Sequence, residues 1–182
     1  QMLYDLHRFL WNQKLTHNET LNLSVNKNCG RLLLKTNLTD NLSSDRMCPH
    51  FVGKYNGKLD NWLDNSDQEI FQKKVRTIGG HIVFPAHRKD GFTINQARGI
   101  NRKISDRFDL TLECIRRFYK NEKSPLTNVL NRYSDFFKLF KDFRNYINFF
   151  TLQDFIDKNE YVQFSLPFDG FNRSALPKNK KE

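Results

Sequence analysis

From Ile104 to Phe150 large apolar side chains recur at nearly every third or fourth position. Side chains on a strand alternate with a period of two, whereas this spacing keeps one face apolar only on a helix. Ile104, Phe108, Leu112, Ile115 and Tyr119 step by four, four, three and four, which predicts a helix over about 101–119. Ser124-Pro125 offers an N-cap and a first-turn proline, and Leu126, Val129, Leu130, Tyr133, Phe136, Phe137 and Phe140 extend the stripe through a second long helix. Residues 120–124 leave room only for a short turn, so the two helices are expected to lie antiparallel. Phe143, Tyr146, Ile147, Phe150 and Phe155 mark a third helical region, over about 142–157, in one or two pieces.

Shorter elements are expected around this layer. Leu3, Leu6, His7 and Leu10 suggest a short amphipathic helix, and Leu21, Leu23 and Val25 alternate before a turn near Asn28 and Gly30 and a return through Leu32–Leu34. Residues 36–66, rich in Asn, Asp, Ser and Gly, read as irregular surface structure. Ser66 and Glu69 form a capping-box pattern for a helix over 66–78, with Ile70, Phe71 and Val75 inward and Gly79-Gly80 as its stop. Ile82, Val83 and Phe84 read as a buried strand halted by Pro85, paired through the turn Lys89-Asp90-Gly91 with Phe92, Thr93 and Ile94. Val162, Phe164 and Leu166 alternate as a last strand, and the tail from Pro177 is charged. The expectation is a single α+β domain over 1–182: a C-terminal helical layer, made of an antiparallel helix pair plus a broken third helix, packed with small β-hairpins. Residues 1–65 supply a short helix, a hairpin and a loop, and residues 66–177 the main body.

A chain of 182 residues with 38% apolar and 14% aromatic composition can build a core without staples. Cys29, Cys48 and Cys114 form no paired framework, which fits a reducing compartment. No stretch approaches the roughly 20 apolar residues of a membrane span, and the start lacks the pattern of a signal peptide. A cytoplasmic location and no membrane partner are expected. Thirty basic residues against twenty acidic give a net charge of +10, which favours phosphate backbones and other polyanions.

The basic residues are densest at Arg98, Arg102, Lys103, Arg107, Arg116, Arg117 and Lys120. Cations at regular intervals on a rigid helix can meet successive phosphates, so Arg98, Arg102, Lys103 and Arg107 are the expected contacts to nucleic acid or a partner. Four-residue spacings within the same run, Arg102 to Asp106 and Glu113 to Arg117, equally suit ion pairs on a helix face. Asp106, Asp109 and Glu113 could bind a divalent ion or exchange protons, but interleaved with arginines they read as an ion-pair network. His81 and His87, with Arg88, leave open an alternative as the acid and base of a metal-independent ribonuclease or toxin. Cys48-Pro49-His50 with Cys29 lacks the second ligand pair that zinc requires, so no metal and no cofactor are expected. Most aromatics fall on the inward stripe, which leaves the off-phase Phe149 and the loop residues Phe168 and Phe171 as surface candidates.

Three stretches carry a resemblance to a known family. They are Ile78-Gly79-Gly80 through Val83-Phe84-Pro85; Thr93-Ile94-Asn95-Gln96-Ala97-Arg98-Gly99 running into Asp106-Arg107-Phe108-Asp109-Leu110-Thr111-Leu112-Glu113-Cys114-Ile115-Arg116-Arg117; and Leu166-Pro167-Phe168-Asp169. Over residues 78–177 the chain resembles a bacterial family described as a domain of unknown function. The resemblance implies that Asn95, Arg98, Asp106, Arg107, Asp109, Glu113 and Arg117 form the family's polar set. It also suggests kinship with anti-CRISPR proteins of bacterial mobile elements, which block RNA-guided nucleases. The functional expectation is a non-enzymatic protein that binds nucleic acid or a ribonucleoprotein, with an inhibitor of a CRISPR effector nuclease as a further alternative.

Overall fold

The computed structural model describes residues 81–86, 88–164, 167–172 and 175, the backbone of strand segments 23–25, 32–35 and 39–46, and the positions Ser66, Glu69, Ile70 and Lys73. The helix expected at the start of the chain, the turn near Asn28 and Gly30, and the tail from Pro177 lie outside these residues. The fold is mixed α and β. Strands β1 (Leu23–Val25), β2 (Leu32–Lys35), β3 (Thr39–Arg46) and β4 (His81–Pro85) form an antiparallel sheet in that order. Leu23 faces Leu34, Leu34 faces Asp40, and Ser43 faces Phe84.

β3 corrects the reading of residues 36–66 as irregular over Thr39–Arg46, residues 47–65 lying outside the described ones. Its sequence, Thr-Asp-Asn-Leu-Ser-Ser-Asp-Arg, has one large apolar residue and no alternation, so no strand signal is visible. It is held by pairing on both sides, to β2 and to β4, which satisfies its backbone polar groups. β4 is the last strand in the order, where Pro85, which lacks an amide hydrogen, is tolerated. Ile82, Val83 and Phe84 are all buried, as expected of a short strand covered on both faces. Ser66, Glu69, Ile70 and Lys73 have helical backbone, but Ile70 is exposed rather than inward.

After the turn at Asp90 and Gly91 a second hairpin strand does not form. Thr93 instead caps α1 (Ile94–Ile100): its side chain accepts from the Gln96 amide at 3.2 Å, while the Gln96 side chain accepts from the Thr93 amide at 3.1 Å. This capping box, Thr-Ile-Asn-Gln, outcompetes the β-branched pair Thr93-Ile94 read as strand. The helix expected over 101–119 is likewise shorter: α2 spans Phe108–Tyr119, and residues 101–107 form a turn. Ser105 and Asp106 take φ of 46° and 60°, the left-handed region, which ends any continuous helix there.

The expected second long helix is two short ones, α3 (Thr127–Arg132) and α4 (Ser134–Lys138). They share Tyr133 as cap, with φ −107° and ψ 23°, and its hydroxyl accepts from the Lys89 amide at 3.3 Å. Lys141, at φ 69°, closes this segment, and Asp142 caps α5 (Phe143–Phe149) by accepting from the Asn145 amide at 2.8 Å. A single 3-10 turn, Gln153–Phe155, follows. Of the strand expected at 162–166, Leu166 lies outside the described residues, and Val162 forms an antiparallel bridge with Ile156 that closes the loop at Asp157. α1 packs on β4 and α3, and α2 packs on α3 and α5.

The core is aromatic. Tyr146 lies at its centre, with ring centroids 4.9 Å from Phe150, 5.2 Å from Phe140 and 5.9 Å from Phe137. Such edge and tilted contacts add to the burial of area that drives folding. Phe149 and Phe171, expected at the surface, are buried, and Phe168 is half-buried and stacked 4.3 Å from Phe164. Off-phase position does not expose them, because the break after α4 and the C-terminal segment bring further surfaces against them.

Candidate functional site

The polar residues of the α1–α2 region do not form an outward row of cations. Arg98 stands in the last turn of α1 and is only 1% exposed. Its Nε donates to Thr111 Oγ1 at 2.7 Å, its Nη1 to Asn95 Oδ1 at 3.5 Å, and its Nη2 to the Asp106 carbonyl at 3.2 Å. The guanidinium also lies 5.8 Å from the centre of the Phe84 ring on β4. Thr111 passes the connection on by donating to the Arg107 carbonyl at 2.8 Å. The left-handed backbone at Asp106 thereby has a cause: it turns a carbonyl toward a buried cation, and the Asp106 amide donates back to the Arg98 carbonyl at 3.2 Å.

Gly99 completes this corner. A Cβ there would stand 3.1 Å from Asp106 Oδ2, so the absent side chain lets the Asp106 carboxylate approach the helix backbone. The sequence Arg98-Gly99 followed by Asp106 is a tertiary corner rather than a helix face.

Arg107 is also turned inward. It holds Asp109 in a two-pronged pair at 3.0 and 2.6 Å, and its Nη1 donates to the Ala175 carbonyl at 2.9 Å. The Ala175 amide donates to the Arg102 carbonyl at 3.0 Å, which fastens the C-terminal segment to the turn before α2. Glu113 accepts from both Arg116 at 2.8 Å and Arg117 at 2.7 Å, and this bonding raises the Arg116 pKa above its ordinary value. Arg117 further sits 5.0 Å from the Phe171 ring centre and 5.6 Å from that of Phe168.

The sequence-derived candidates therefore divide. Arg98 and Arg107, expected to face phosphate, are instead buried and bonded within the chain. Asn95 and Asp106 bond to Arg98, Asp109 pairs with Arg107, and Glu113 holds Arg116 and Arg117 in an ion-pair cluster of α2, which is the alternative that the interleaved charges allowed. Arg102 and Lys103 are exposed in the turn between α1 and α2. The side chain of His81 and the whole of His87 lie outside the described residues, as do Cys29 and Cys48-Pro49-His50. Among the described residues no group of three His, Cys, Asp or Glu side chains could hold a metal ion, and no helix is long and apolar enough to cross a membrane.

Two residues that sequence reasoning passed over stand beside Arg102. Phe92 is 53% exposed and Ile100 60% exposed. Together with Asn95, Gln96 and Arg102 they line an open depression of about 700 Å³. Their only sequence signal is position: Phe92 precedes the cap of α1, and Ile100 ends the helix off its buried side.

Fold and site together define a mixed α and β domain whose helices are fixed by an inward guanidinium network and whose α1 corner presents a cationic and apolar face. The chain belongs to a family of unknown function, DUF6994, whose model matches residues 1–182 and so takes in the N-terminal third as well as the stretch from residue 78. No curated protein and no solved structure matches the chain.

Proposed function

We propose that this protein is a non-enzymatic binding protein for nucleic acid or a nucleoprotein, and that the contact face is the α1 corner rather than a helix-long row of arginines. The observation that carries the reading is exposed Arg102 lining an open depression together with Phe92, Gln96 and Ile100, with exposed Lys103 next to it in the chain. A net charge of +10 supplies long-range attraction to a polyanion, and the corner supplies contacts of short range. The turn that carries Arg102 and Lys103 is pinned at its backbone through Arg98 and Asp106.

The test is a fluorescence titration of labelled RNA and DNA across a salt series. Wild-type protein is expected to bind with a salt slope, and Arg102→Glu with Lys103→Glu to weaken binding and reduce that slope by about one to two. A wild type that binds no nucleic acid, or a double variant with an unchanged slope, overturns the reading.

The exposed apolar pair Phe92 and Ile100 favours one second reading, a protein inhibitor that docks on an RNA-guided nuclease. That reading expects the protein to co-purify with a CRISPR effector while ignoring free nucleic acid. Buried Cys114, a free thiol, accords with work in the reducing cytoplasm.

A further inference from the structure

Phe92 is held outward by a backbone with little freedom. Gly91 before it takes φ 130°, open to glycine, and the Phe92 carbonyl accepts from Arg132 Nη2 at 3.0 Å. Thr93 after it is locked by the capping box, and Ile94 is fully buried. Phe92 occupies the position before the cap, from which an apolar side chain commonly folds down onto the residue four places into the helix. Here that residue is Ala97, too small to cover a phenyl ring, and half of Phe92 remains in water. An aromatic side chain carried on a backbone fixed at both flanks and left exposed beside Arg102 is a platform whose backbone ordering entropy is already spent.

Resting on the reading of the corner as a nucleic-acid face, we infer that its ligand is single-stranded and that one base stacks on Phe92. A base in a duplex has both faces covered by its neighbours, so a single protruding ring gains nothing from it without unstacking. A single strand offers free base faces and a backbone that Arg102 and Lys103 can follow. Ile100, which lines the same depression as Gln96, would touch the sugar or the edge of the adjacent base. Stacking accepts any base, so affinity depends on strandedness more than on sequence.

The experiment measures binding of a labelled single strand of about 12 nucleotides and of the matching duplex, at one salt concentration. Wild-type protein is expected to prefer the single strand, and Phe92→Ala to lose roughly five- to hundredfold in affinity for it with little change for the duplex. Phe92→Trp should retain binding. Phe92→Leu keeps apolar area but removes the ring, so loss in this variant supports stacking, whereas retention points to an apolar contact with the strand that needs no ring and overturns the inference. Unfolding midpoints of the variants should match wild type, since the side chain is half in solvent. Equal affinity for single strand and duplex, or an unaffected Phe92→Ala, also overturns it while leaving nucleic-acid binding intact. Absence of binding by wild type would instead remove the reading on which it rests.

Discussion

At the scale of single residues, Arg98 shows how a cation can be misjudged from its spacing. A guanidinium carries five donors in a fixed fork, and in this protein the fork meets a hydroxyl, an amide oxygen and a main-chain carbonyl on three separate stretches of chain. Charge-assisted bonds of this kind are among the stronger ones, and removing the donor leaves buried acceptors unmatched. Arg98→Ala is expected to cost about 3 kcal/mol of stability, and Arg98→Lys most of that, because an ammonium cannot span the three acceptors. Denaturant unfolding followed by circular dichroism checks this. Normal stability with lost ligand binding would make Arg98 a ligand contact after all. Helical spacing alone sets the fork and its acceptors on one helix; the break at Ser105 and Asp106, which folds them together, rests on left-handed backbone in non-glycine residues and has no pattern to find.

At the scale of elements, what could be read was periodicity, and what could not was where each helix stops. The apolar stripe over 108–119 maps onto α2, and the stripe over 126–140 onto α3 and α4, because burial of one face supplies most of the drive to fold and leaves a period in the sequence. Stops at Asp106, Tyr133 and Lys141 come from backbone conformation and from tertiary partners, and β3 is held by its neighbours rather than by its residues. Lys141 offers a direct test. It is exposed and takes φ 69°, a conformation that costs a residue with a Cβ about 1–2 kcal/mol. Replacement by glycine removes that cost and adds back a somewhat smaller loss of unfolded-chain entropy. Lys141→Gly is expected to raise stability by about 0.5 kcal/mol, and Lys141→Ala to leave it near wild type, as read from urea midpoints. A destabilised Lys141→Gly would show that the lysine side chain contributes to the junction of α4 and α5.

At the scale of the whole molecule, the basic residues of the α1–α2 region separate into two populations. Arg98 and Arg107 are buried and Arg116 and Arg117 half-buried on Glu113, while Arg102 and Lys103 stay at the surface, so the net charge of +10 does not by itself mark which cations can meet a ligand. The interior has a titration of its own. Burial pushes the Cys114 thiol up to about 12 from 9.0 and raises the hydroxyls of Tyr119 and Tyr146 above the ordinary tyrosine value of 10.0. All three are acids whose neutral form the fold favours. Above their ordinary values the unfolded chain releases protons that the folded chain keeps, so stability is complete below pH 9 and falls as pH rises. Between pH 9 and 10 the fall comes, among these three, from Cys114 and amounts to about 1.4 kcal/mol per pH unit at most; above pH 10 the tyrosines steepen it. Urea unfolding of wild type and Cys114→Ala at a series of alkaline pH values separates the contributions. The variant is less stable at neutral pH through its lost packing, and its stability should hold level from pH 9 to 10 relative to wild type, so that the two curves converge. Curves that stay parallel through that interval would mean that the thiol reaches solvent in the native state, and that the helical layer over Cys114 opens more readily than its burial implies.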